Sequence, residues 1–316
     1  MRKLTLIATA IAMLLTAWNA QSANAQWPQS TFKDSRMSLE IGAKAFDRPG
    51  VDSTAPVITD GLTSATLFNA EQASDLGTNF GAEVKLNLVN RRDREIEVRS
   101  IIAGWEEHSM FTGNNLQSGF FPVPGSEPTT FDYNYESDYF SIEVMRRRAV
   151  VPGVTVMAGP RFVSTSDQIT AAGSRVITGT TVTQTQTFEA TNALIGLQGG
   201  LELNFPVTNA IYANGFLRVG GYFNPTEFNT RTENSATSVI ITGQRDQSIE
   251  SFLAETGGRV CVDLIPNCVS TYVGYEATWI DGIALATANA QAVGPGIDTT
   301  NTAFFHAVTF GVQVDY

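Results

Sequence analysis

The chain has 316 residues, 43% hydrophobic and 16% charged, with Lys+Arg 20 against Asp+Glu 31. That apolar share excludes a wholly disordered chain, and the sparse charge argues against a long coiled coil. A net charge of -11 argues against a general nucleic-acid binder, which needs basic surface to neutralise phosphates.

Residues 1–25 read as a secretory signal peptide. Arg2 and Lys3 give the positive start, Leu4 to Trp18 the apolar core, and Ala23-Asn24-Ala25 the small-residue cleavage site. The apolar run falls short of the ~20 residues a helix needs to cross a bilayer. Cleavage removes two basic residues and no acidic one, so the mature charge is -11 - 2 = -13. Residues 26–35 form a periplasmic lead-in, and 36–316 form one domain. No later stretch reaches 18 uninterrupted apolar residues, so a mature chain that enters a membrane does so as strands.

Beyond residue 35 the pattern alternates with period two. In 193–205, Ala193, Ile195, Leu197, Leu201, Leu203 and Phe205 share one face, while Gln198, Glu202 and Asn204 lie on the other. The same rule predicts ten strands: 36–46, 77–89, 95–107, 138–148, 153–164, 188–205, 210–223, 248–264, 269–284 and 302–316. The 36 threonines fit this, because β-branched side chains favour strands. The connections alternate. The long ones, 47–76, 108–137, 165–187, 224–247 and 285–301, are rich in Gly, Ser, Thr, Asn and Pro. The short ones are 90–94, 149–152, 206–209 and 265–268.

Tight turns on one rim and long loops on the other predict an all-β, up-and-down antiparallel transmembrane barrel. Ten strands is the simplest count, and twelve follows if a loop hides a hairpin. An even count starting and ending at the short-turn rim puts both termini in the periplasm. Alternation alone does not say which face looks inward, and a soluble sandwich or lipocalin-like barrel has the same period. The export signal, the loop asymmetry, the C-terminal strand and the mere four lysines favour the membrane. So do charges midway along the strands, all on the less apolar face: Glu40, Lys44, Glu83, Lys85, Glu97, Arg99, Glu143, Arg147, Arg161, Glu202, Arg218, Glu255, Arg259 and Glu276. With signs mixed, they are expected to line a polar lumen in ion-pair ladders.

The last strand ends in an aromatic carboxyl terminus, Tyr316, preceded at alternate positions by Val314, Val312 and Phe310. This resembles the assembly signal of bacterial outer-membrane β-barrels. The segment 38–43 followed by Phe46-Asp47-Arg48-Pro49-Gly50 is similar to the opening strand of a pore-forming outer-membrane barrel family. The resemblance implies an outer-membrane location, with lipid and the barrel-assembly machinery as partners. It also implies a structural role or a narrow diffusion pore for small hydrophilic solutes or ions. If the pore conducts, the acidic excess predicts a cation preference.

The remaining candidates are few. Cys261 and Cys268 flank the turn at Pro266-Asn267, and a hairpin centred between 264 and 265 puts them opposite each other, which predicts a disulfide. Trp105, Tyr139, Phe162, Phe205, Tyr275, Trp279, Phe304 and Tyr316 fall toward strand ends, as interfacial girdles do, although core packing is the alternative. Arg91, Arg92, Arg94, Arg146, Arg147 and Arg148 cluster at the short-turn rim, where snorkelling to headgroups is the plain reading. His108 follows Glu106 and Glu107 at the loop rim. It leaves open an outer-membrane rim enzyme, an omptin-like protease or a lipid-modifying activity, although no Asp-x-His pairing accompanies it. A secreted soluble β-sandwich that binds a ligand is the third reading. No motif calls for a cofactor or a metal, and no nucleic-acid partner is expected.

Overall fold

The structure is a computed structural model. It describes residues 36–49, 56–60, 66–69, 72, 75–90, 94–113, 116–118, 130–177, 179–266, 268–291 and 297–316. The expected signal peptide and lead-in, Arg91, Arg92 and the side chain of Arg94 lie outside that set.

Among the described residues thirteen strands follow in chain order: β1 (Arg36–Arg48), β2 (Pro56–Asp60), β3 (Thr66–Asn69), β4 (Gly77–Asn90), β5 (Arg94–Thr112), β6 (Leu116–Ser118), β7 (Thr130–Val151), β8 (Val154–Ile177), β9 (Thr180–Pro206), β10 (Ile211–Asn234), β11 (Val239–Ile265), β12 (Val269–Ile283) and β13 (Asn301–Asp315). One short helix, α1 (Ala286–Gln291), lies between the last two. Ten strands close an antiparallel barrel in the order β1-β13-β12-β11-β10-β9-β8-β7-β5-β4. The closure joins the two ends of the sequence. Ser38 stands opposite Asp315, and Met37 and Tyr316 exchange backbone hydrogen bonds of 3.2 and 2.8 Å. A hairpin does hide in the first long loop, but β2 pairs with β3 on one side and β6 on the other in a separate three-stranded sheet, and the wall keeps ten strands.

The apolar face of the wall points outward. Leu197 is 71% exposed and Phe80 68%, whereas the intervening Gln198 and Glu83 are each 4%. On β9 this outward band runs from Ile195 to Phe205. Ten residues of strand tilted by ~40° give about 25 Å of height, the thickness of an apolar membrane band. Polar outward residues mark its upper limit: Asp47, Glu106, Asp138, Glu227, Glu250 and Asp281.

Above that limit the strands continue. The stretches 165–187 and 224–247, expected as loops, are hairpin extensions that leave turns near 178–179 and 235–238. The outward apolar signal ends where lipid ends, so the alternation fades there, while the β-branched threonines keep the strand geometry. Six strands, β5 and β7–β11, thus form a tall wall, and β12, β13, β1 and β4 a short one.

Two expectations need correction. The β11–β12 register is centred two residues later than a pairing of Cys261 with Cys268 requires, and a bulge between Asp263 and Ile265 follows nearer the turn. Cys261 therefore stands opposite Tyr272, four residues or about 13 Å of strand from Cys268. Both thiols are free, one buried and one exposed. Among the girdle aromatics, Trp105 and Tyr139 face inward and are buried, whereas Phe205, Tyr275, Trp279, Phe304 and Tyr316 are exposed on the outer face.

Candidate functional site: the filled barrel interior

In the part of the barrel that lies at the level of the outward apolar band, many of the long inward side chains are charged. Twelve of the fourteen residues expected to line a lumen are buried there, and Arg259 and Glu276 are nearly so, with side chains 15% and 14% exposed. They do not merely line the wall. Arg99 on β5 pairs with Glu255 on β11, five places away in the ring of ten strands, and so spans the barrel's diameter. The same guanidinium reaches Glu276 at 2.9 Å, Glu83 at 3.2 Å and Glu143 at 3.6 Å. Arg218 bridges Glu97 and Glu143, both at 2.9 Å, and Arg161 holds Glu255 at 2.8 Å. Lower down, Arg147 pairs with Glu97 at 2.7 Å and Glu202 at 2.8 Å. Glu40 accepts from Arg259 at 2.6 Å and lies 2.9 Å from Lys85, while Lys44 pairs with Glu83 and Glu276. The set holds seven glutamates, five arginines and two lysines, so it is formally neutral. The acidic excess of the chain lies elsewhere.

Long side chains meet at the axis only if others give way. Gly42 and Gly311 do so for Tyr272: a Cβ on either would lie 2.2 or 2.6 Å from its hydroxyl oxygen. The mid-strand glycines 200, 220 and 257 are similarly crowded, whereas 199, 221 and 258, which alternate with them, have room.

Higher up the filling changes character. Phe46, Trp105, Tyr139 and Phe305 pack ring on ring, with Trp105 5.7 Å from Phe46 and 5.6 Å from Phe305. Ile58 of β2, Phe68 of β3 and Leu116 of β6 join this cluster from the small sheet, and Ala284, Leu285 and Ala286 join it from the start of α1. Asn192 clamps that segment by donating to Ala284 O and accepting from Ala284 N, both at 2.8 Å. One ion pair sits within the apolar layer. Arg48 donates to both carboxylate oxygens of Asp167 at 2.7 and 3.0 Å, between the rings of Tyr135 and Phe305. Burial favours the neutral form, but Asp167 and Tyr135 hold the Arg48 guanidinium above its ordinary value. Burial pushes the hydroxyls of Tyr133 and Tyr135 above the usual phenol range.

The cap elements and the Arg48–Asp167 pair were missed by the sequence reading. A local signal existed only for Arg48, an inward charge continuing the Glu40–Lys44 spacing.

No family profile and no curated protein matches the sequence. Solved structures do. The outer membrane protease OmpT of Escherichia coli aligns over 91% of this chain and 98% of its own, at 10% identity and a TM-score of 0.48. The translocator domain of the autotransporter NalP from Neisseria meningitidis aligns over 97% and 96%, at 9% identity and 0.39. A major outer membrane protein of Thermus thermophilus aligns over 89% and 99%, at 11% identity and 0.33.

At the loop rim, His108 meets Asp132 at 2.8 Å with both side chains about half exposed. On β5 and β7 the odd positions, Trp105, Phe131 and Tyr133, point inward. His108 and Asp132 therefore sit on the outer face of the tall wall, not in the barrel mouth. His306 pairs with Asp47 at 3.0 Å, also on the outside of the wall. Among the described residues no group of His, Cys, Asp and Glu has the arrangement of a metal site. Arg146 and Arg148 are exposed on the outer face at the short-turn end, while Arg147 turns inward.

Proposed function

We propose that the chain is an integral outer-membrane barrel, closed to solutes, that anchors a tall β-wall outside the cell. Of the structural and pore-like readings, the geometry favours the structural one. The observation that carries it is the Arg99–Glu255 pair, which joins opposite strands across the lumen while further ion pairs fill the same level. Above it the aromatic layer and the small sheet add a second closure. The neutral interior gives no basis for a cation preference. In this reading the signal peptide is removed, both termini face the periplasm, and the tall wall faces outward, as long loops do in such barrels. Phe310 and Val312 on the outer face of β13, and Tyr316 just beyond its end, stay exposed beside the seam with β1, where an assembly machine would meet the last strand. Arg146 and Arg148 then lie at the inner-leaflet headgroups.

The test is conductance across a planar bilayer holding protein that migrates compactly when unboiled. A flat current at moderate voltage is expected. Steady unitary steps from the unmodified protein would overturn the closed reading and restore the diffusion pore.

A further inference from the structure

The tall wall has two vertical edges, and they differ. At the β5 edge, pairing with β4 stops at Ala103, but Phe111 further up packs on Phe68 of the small sheet at 5.1 Å. At the other edge, β11 pairs with β10 continuously from Val239 to Val262, yet with β12 only from Phe252 downward. Val239 to Ser251 thus has a partner on one side, and among the described residues no strand pairs the other. Side chains from Val239 to Glu250 are exposed except Arg245 and Ile249, which are half-buried. This is about 40 Å of strand edge. Of the usual guards it lacks proline, lysine and any bulge in the β10 register, and its charges are Arg245, Asp246 and Glu250. Val239, Ile240, Ile241 and Thr242 are all β-branched, so the strand is held extended before anything arrives.

We infer that this edge is a docking strand for an extended, basic segment of another protein, which adds to the sheet antiparallel to β11. The inference rests on the wall lying outside the cell. A second copy does not fit, because two barrels in one membrane run their β11 strands in the same direction. Charge selects the occupant. Asp246 and Glu250 lie on the outer face of the edge strand, with Glu227 directly opposite Asp246 on β10 and Glu233 and Glu189 on the same face. The one cation among them, Arg231, is paired with Glu233. Like charges directly opposite one another destabilise a sheet, and an incoming cation would relieve them. Backbone hydrogen bonds would supply affinity, and alternate side chains selectivity. Read from the register, the guest carries basic residues four apart, facing Asp246 and Glu250, and an apolar residue six positions further, over Ile240.

The experiment uses the full chain in lipid nanodiscs and a fluorescent synthetic peptide with that pattern, lysine at the two basic positions. Saturable binding is expected, with protection of β11 amides from hydrogen exchange. D246K/E250K should weaken it by about tenfold or more and favour a glutamate-substituted peptide instead. Boiled and unboiled electrophoresis checks that this variant still forms the barrel. Absence of binding to a correctly folded barrel overturns the inference, as does binding unmoved by charge reversal or without β11 protection. Concentration-dependent self-association through β11 also overturns it. None of these outcomes bears on conductance, so the closed-barrel reading stands or falls separately.

Discussion

On β1 the inward residues run Glu40, Lys44, Phe46; on β5 they run Glu97, Arg99, Ile101, Ala103, Trp105. One wall with one alternation is thus filled by charge below and by rings above. The difference follows from what each level has available. At membrane depth, among the described residues, no loop reaches the axis, and long side chains from the wall fill it, most of them charged chains that pair across the lumen. Higher up, the small sheet and α1 fold in and supply backbone and apolar bulk. The energetics differ accordingly. Each buried ion costs several kcal/mol in desolvation that its partners roughly offset, so the lower layer adds specificity and closure more than net stability. The upper layer gains from burial itself.

The contrast is sharpest at Arg99. Replacing it with alanine removes the one cation common to four glutamates, leaving Lys44 to Glu83 and Glu276 and leaving Arg161 and Arg218 to Glu143 and Glu255, and a loss of about 3–5 kcal/mol is expected in urea unfolding of the detergent-solubilised barrel. A loss below about 1 kcal/mol would mean that water already reaches this level, and the two layers would not differ in kind. In the upper layer, Leu116→Ala should cost about 2–3 kcal/mol through an unfilled cavity. Because Leu116 belongs to the small sheet, the effect should appear as faster proteolysis of the segment 49–76 while the barrel still migrates as folded. Unfolding of the whole barrel in one step would show that cap and wall are a single unit.

A smaller effect separates the layers by pH. Tyr133 and Tyr135 are protonated in the fold well beyond the point at which a free phenol ionises, near pH 10. Their share of stability is complete below that pH and is lost as pH rises toward the folded values, since the unfolded chain releases those protons first. Tyrosinate absorbance should therefore lag in the folded protein and catch up on alkaline unfolding. Free titration of every tyrosine near pH 10 in the folded barrel would place water in the cap.

Much of this was legible from residue order. Period-two alternation and turn spacing pointed to an antiparallel barrel with ten strands as the simplest count, and the short-turn strand ends fell within a few residues, because tight turns have local chemistry. The inward charges were legible too, since their spacing matches the pleat. The register assumed for Cys261 and Cys268 failed because register is a property of two strands together, and Trp105 and Tyr139 were misassigned because a strand-end aromatic has the same spacing whether it meets lipid or a folded loop.

Sequence by itself determined which side chains share a face, since the pleat is imposed by backbone sterics alone. Only the closed ring decided that Arg99 meets Glu255, that β2, β3, β6 and α1 fold into a cap, and that the upper edge of β11 has no partner strand among the described residues. Those outcomes depend on distances across the barrel, which no local pattern encodes.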